Sequence, residues 1–247
     1  MCALAHYLEE EGVPAVAISL IRLHSEKVRP PRAMWVPFEL GRPLGPPRNE
    51  QFQVKVITAA LRLLEASAGP VILEDFPEDD PTAVGIAGWN PPFDLAPGEI
   101  DVANRAALER ALREEIRAVA PFHARFVASN GRTMVGLSGR GVDECATLLA
   151  DFLAGTPSAA SDPAVSPVQV LRWAVDDLKS YYLEAMAADG AVPSSRQMQA
   201  WFWDRTLLAR AIIALRRQLL ASEDQRSQAI GRMNLVPGAQ VQRLGLS

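Results

Sequence analysis

Apolar positions recur at helical spacing in some stretches of this chain and as short continuous runs in others, and the alternation between the two predicts a layered fold. Leu4, Tyr7 and Leu8 stand at i, i+3 and i+4 beside the polar Glu9, Glu10 and Glu11, so residues 1–11 read as a helix. Gly12 stops it, because glycine adopts the left-handed conformation that helix ends often need. Residues 13–21 follow as a short β-rich run. Helix, glycine turn and buried strand form the second half of a βαβ unit. The strand that leads into such a helix would lie ahead of Met1. Either the first helix packs at the edge of the sheet, or the chain lacks a part present in relatives.

A second strand is expected at 34–38, ended by a loop at 39–49 rich in proline and glycine. Asn49 can cap a helix running to about Ala66, in which Phe52, Val56, Ala59 and Leu63 keep helical spacing. Gly69 and Pro70 break it, and 71–73 starts a third strand. Residues 74–98, acidic and then proline-rich, read as a long loop. A charged amphipathic helix spans 102–120, and Pro121 ends or kinks it. A further strand is expected at 133–137, followed by the turn Ser138, Gly139, Arg140, Gly141 and a helix over 142–153.

Residues 155–166 have little to bury and read as a linker. Beyond it, helical patterns at 168–188 and 195–221, separated by Asp189, Gly190 and Pro193, suggest an αα-hairpin. The predicted class is α/β: a small, mainly parallel sheet with flanking helices over 1–154, a linker, and a C-terminal helical hairpin within 167–247.

Composition fits an ordinary globular protein: 247 residues, 49% hydrophobic, 22% charged, net charge −4. A mildly acidic balance argues against nucleic acid or an anionic membrane as partner. Cys2 and Cys145 are the only cysteines, with no Cys/His cluster at zinc spacing, which points to a reducing, cytoplasmic setting and no metal. No apolar stretch approaches the roughly 20 residues of a membrane helix.

Candidate chemistry centres on residues 24–48. His24, Lys27, Arg29, Arg32, Arg42 and Arg48 face only Glu26 and Glu39 there, inside an otherwise acidic chain. In open α/β sheets the loops after the strands' carboxyl ends form the ligand crevice. Both halves of this segment follow predicted strands, so His24, Arg29, Arg32 and Arg42 are candidate ligands for a substrate carboxylate. Pairing with the acidic loop at 74–80 is the plainer alternative. The turn at 138–141 offers backbone N–H groups at a helix start, an anion site or a plain strand–helix connection. Cys145 reads as a small buried hydrophobe. Cys2 lies in the first turn of a helix, where the dipole lowers a thiol's pKa, yet beside a chain end. His6 and His123 lack a second ligand at i+4, which favours surface or core-edge roles. Tyr181, Tyr182, Trp201, Phe202 and Trp203 suit a core or an interface.

The run Tyr7-Leu-Glu-Glu-Glu-Gly-Val-Pro-Ala-Val-Ala-Ile-Ser19, followed by Val36-Pro-Phe-Glu-Leu-Gly-Arg-Pro-Leu-Gly-Pro-Pro47, resembles one family. It is similar to the C-terminal part of the selenoprotein B component of glycine, sarcosine and betaine reductases and to the related D-proline reductase subunit. The resemblance covers about the first 75 residues. It implies reductive cleavage of a C–N bond in a small amine or amino acid by a selenol or thiol at the amino side of the first helix. A partner subunit's pyruvoyl group would hold the substrate, and a thioredoxin-like dithiol would supply electrons; no cofactor is expected in this chain. The sequence has no selenocysteine and no motif cysteines, and Cys2, the candidate catalytic thiol, falls a few residues past the family's reactive position. A start site placed too late would account for both absences. The competing expectation is a non-catalytic subunit or binding module that docks a partner through its helical region, and a third is a small-molecule binder using the turn at 138–141.

Overall fold

The computed structural model describes residues 2–66, 69–95, 101–156, 164–188 and 193–246. Two compact units divide the chain at Val84 and Gly85. The division therefore falls ahead of the helices at 105–153, not in the stretch expected as a linker, of which 157–163 lie outside the described residues.

The first unit is α/β. Its elements run α1 (Cys2–Glu10), β1 (Ala17–Ser19), α2 (Arg22–Val28), β2 (Arg32–Trp35), α3 (Glu50–Arg62), a 3-10 turn (Leu63–Glu65) and β3 (Ile72–Asp75). The three strands are parallel in the order β1-β2-β3, with Ala17 opposite Ala33 and Arg32 opposite Ile72. The expected class, a small parallel sheet with flanking helices and further helices at the C-terminus, is what the chain adopts.

The helix–glycine–strand opening is present: Gly12 has φ 76°, and Val13 N–H donates back to Leu8 at 2.8 Å. The face that α1 buries differs from the apolar stripe. Cys2 and Ala5 are buried, while Leu4 and Tyr7 are 52% and 67% exposed. Small side chains explain this, since Cys2 packs with Ala17 and Ala33, where a larger residue would hold the helix off the strands. The polar, basic residues 22–28 form α2, with Arg22 and Glu26 paired one turn apart and Arg29 closing the helix in the left-handed conformation. Asn49 caps α3 through Phe52 N–H at 3.2 Å. Beneath α3, Met34, Val36, Val56, Ala60 and Leu63 form the unit's apolar core.

The second unit is helical in its described part: α4 (Arg105–Asn130), α5 (Val142–Leu153), α6 (Pro167–Met186), α7 (Ser195–Arg205), α8 (Leu207–Leu220), α9 (Gln225–Met233) and α10 (Gly238–Arg243). One extensive core joins Leu112, Leu149, Leu171, Leu178, Tyr182 and Ile212, each at most 1% exposed. Three local expectations are corrected. α4 runs through Pro121, which stays exposed. The helix expected over 195–221 is two helices, because Thr206 is extended and its hydroxyl accepts from Ala209 N–H at 3.0 Å. The strand expected at 133–137 is a series of turns, because two carboxylates of α6 take its N–H groups. Asp189 and Gly190 lie outside the described residues.

Candidate functional site

In an open parallel sheet the ligand crevice lies beyond the strands' carboxyl ends. Here β1 ends at Ser19, β2 at Trp35 and β3 at Asp75, and the segments leaving them supply Arg22, Phe38 and Phe76. Phe38, Phe52 and Phe76 form an edge-on aromatic trio with centroids 5.6–6.0 Å apart. Gly45 is required beside it: a Cβ there would lie 2.6 Å from the Phe52 ring. Across the sheet, Arg22 Nε donates to both Asp75 oxygens at 3.0 and 3.2 Å, and the same guanidinium pairs with Glu26.

The four basic candidates divide between the two ends of the sheet. His24 lies early in α2 and Arg42 in the loop after β2, both exposed, and neither side chain has a partner among the described residues. Arg29 and Arg32 sit at the opposite, amino end of β2. Arg32 is committed there to Glu9, whose carboxylate also accepts Ala15 N–H at 2.8 Å. That backbone bond first, and the guanidinium second, hold the Glu9 carboxyl below its ordinary range. The acidic loop does recruit cations, but they are Arg22 at Asp75 and Lys55 at Glu78, outside the predicted set. Arg22 was open to recognition, since it follows the β-rich run by a few residues. A search for clustered basic residues starting at His24 passes over it.

Cys2 is 6% exposed and packs against Ala17, Ala33, Val28 and Leu73, the environment of a small apolar residue. His6 faces the Val28 carbonyl at 3.2 Å. Cys145 is fully buried as expected, and burial pushes its thiol upward.

The turn at 138–141 has no donors to spare for an anion. Asp177 accepts from the N–H groups of Gly136, Leu137 and Ser138 at 2.8–2.9 Å and from the Ser138 hydroxyl at 2.5 Å. The N–H of Arg140 goes to the Ser138 hydroxyl and that of Gly141 to Glu144. Burial opposes ionisation of Asp177, but the four donors together outweigh it and hold the carboxyl below its usual value. Glu184, two turns further along the same face of α6, accepts from Met134 N–H and the Thr133 hydroxyl, both at 2.6 Å, and contacts His123 Nε2 at 2.9 Å. Among the described residues, no group of three His, Cys, Asp or Glu side chains could hold a metal ion. None of the described helices is long and apolar enough to cross a membrane.

Set beside known protein families, curated proteins and solved structures, the chain matches none of them.

Proposed function

We propose that the α/β unit binds a small amine or amino acid for reductive cleavage of its C–N bond, the role implied by its resemblance to selenoprotein B reductase components. The observation that carries this reading is the composition of the carboxyl edge. Two cations without partners among the described residues, His24 and Arg42, follow the carboxyl ends of β1 and β2, and β3 ends at a carboxylate, Asp75, whose partner in the structure is Arg22. A zwitterion needs both signs of charge, and arginine pairs a carboxylate through two N–H donors. Arg42 and His24 then take the substrate carboxylate and Asp75 faces its amine. Arg29 and Arg32 have no part in binding. The pyruvoyl group and the dithiol donor belong to partners.

A second reading, a binding module that keeps the fold without the chemistry, is favoured by the burial of Cys2. Incubating the full chain with glycine, sarcosine, betaine and D-proline under dithiothreitol, with and without a pyruvoyl partner subunit, separates the two. Amine release from glycine, sarcosine or betaine, or ring opening of D-proline, that requires dithiol and disappears in Cys2→Ala supports reduction by this chain. Substrate binding with no release, and with Cys2 resisting alkylation in the folded protein, leaves the binding module.

A further inference from the structure

A cavity of about 660 Å³ opens in the helical unit between the loop at 133–137, α6, α7 and Pro237. Its volume falls within the ~300–1,000 Å³ of ordinary small-molecule sites. The floor is rigid and apolar, with Phe202 and Trp203 1% and 3% exposed and their rings 5.1 Å apart. The rim is also apolar, since Met134 and Leu137 are 76% and 57% exposed. Exposed apolar side chains on a loop are ordinary when the loop is loose. This loop is fixed instead by two carboxylates: Glu184 accepts from Met134 N–H, and Asp177 accepts from the N–H groups of Gly136, Leu137 and Ser138. Val135 N–H turns to the Thr133 hydroxyl at 3.0 Å. The fold thus holds two apolar side chains in fixed positions at the mouth of a preformed cavity, which is the preorganisation that small-ligand sites use.

The charges lining the cavity are already neutralised. Asp177 has its four donors, and Asp176 pairs with Lys179 at 2.9 Å and with Arg172 at 3.6 Å. Lys179 also donates to the carbonyls of Asn234 and Leu235 at 3.5 and 3.4 Å. What remains for a ligand is the Ser180 hydroxyl and the Gln199 amide N–H₂, neither engaged among the described residues, the Gln199 oxygen being held by Trp203 Nε1 at 2.9 Å. A charged ligand entering here would lose hydration without gaining an opposite charge. We infer that this cavity binds a neutral, mostly apolar small molecule carrying a hydrogen-bond acceptor, seated on Phe202 and Trp203 and met by Ser180 and Gln199. Binding here is independent of what the α/β unit does.

The test uses the full chain and the neutral fluorophore N-phenyl-1-naphthylamine. Saturable binding at one site per chain is expected, weakened at least tenfold in Leu137→Asp and in Met134→Asp, whose side chains are exposed and whose backbone bonds are kept. Leu40→Asp, at an equally exposed apolar residue of the α/β unit, leaves it unchanged. Benzyl alcohol competes better than benzoate or benzylammonium. Absence of saturable binding, equal weakening by Leu40→Asp, or preference for either charged competitor overturns the proposal. So does loss of the site on self-association in sedimentation experiments, which assigns the face to a second copy.

Discussion

The two units differ in how far their buried carboxylates reach. In the helical unit carboxylates are turned inward as scaffold: Glu115, 7% exposed, accepts from Leu207 and Leu208 N–H and from the Tyr182 hydroxyl, and so caps α8 from a neighbouring helix. Asp177 and Glu184 do the same for a loop. In the α/β unit the ion pairs of Arg22 and Lys55 lie at the surface, among the described residues the buried carboxylate of Asp80 serves only its neighbour Thr82, and the core is a pair of small clusters under α1 and α3. The lesson is that a broad core can enclose carboxyl groups when backbone N–H and hydroxyl donors meet them. A thin one keeps most of its charges outside, many of them in ion pairs, with the His24 and Arg42 side chains exposed and without a partner among the described residues.

The contrast is broken most forcefully in the helical core. Leu149→Ala, at a fully buried position of α5, is expected to destabilise this unit by about 2–5 kcal/mol. Hydrogen exchange across α5, α6 and α8 checks it; loss below 1 kcal/mol would mean that the core collapses around the gap far more readily than close packing allows. Next comes Glu115→Ala, which removes the acceptor of two backbone N–H groups and one hydroxyl and is expected to cost about 1–3 kcal/mol as water takes up part of the lost bonding. Unprotected amides at Leu207 and Leu208 are the expected signature.

Glu115 also sets a pH dependence. Burial raises its carboxyl above the ordinary value, outweighing the bonds from Leu207, Tyr182 and Leu208. The folded state therefore holds this proton more tightly than the unfolded chain. Its contribution to stability is fully present below the unfolded glutamate value and is lost as pH rises through the raised folded one. Denaturant titrations at descending pH should show wild type gaining on Glu115→Gln through that window. Asp177 has the opposite sign: its stabilisation is present above the ordinary aspartate value and lost as pH falls through its lowered one. The smallest effect belongs to the α/β surface. Replacing Arg32 by Met should change stability by no more than about 1 kcal/mol, because its pair with Glu9 is partly solvated.

Much of the architecture was legible in the chain. The Asn49 cap, the helix at 142–153 and the helix–glycine–strand opening follow from local signals, which act within a few residues. What was not legible depends on residues far apart in sequence. Leu4, Tyr7 and Leu8 carry helical spacing, but Ala17 and Ala33 decide which face of α1 can approach the sheet. Residues 133–137 have strand-like composition, yet Asp177 and Glu184, some forty to fifty residues on, claim their N–H groups. Thr206 and Glu115 split one apolar helical run into two. At the candidate site, basic composition singled out a segment and could not say which of its residues share an edge. Arg29 precedes β2 and Arg42 follows it, a separation that only the strand's position reveals.

That separation gives the most direct test. Nuclear magnetic resonance titration of the full chain with glycine, sarcosine, betaine and D-proline, repeated on Arg42→Gln and Arg29→Gln, compares the two edges under the same conditions. Binding of at least one of these ligands is expected, weakened by about 1–3 kcal/mol in Arg42→Gln and unchanged in Arg29→Gln. Equal binding by both variants, or loss confined to Arg29→Gln, would contradict a substrate site at the carboxyl edge.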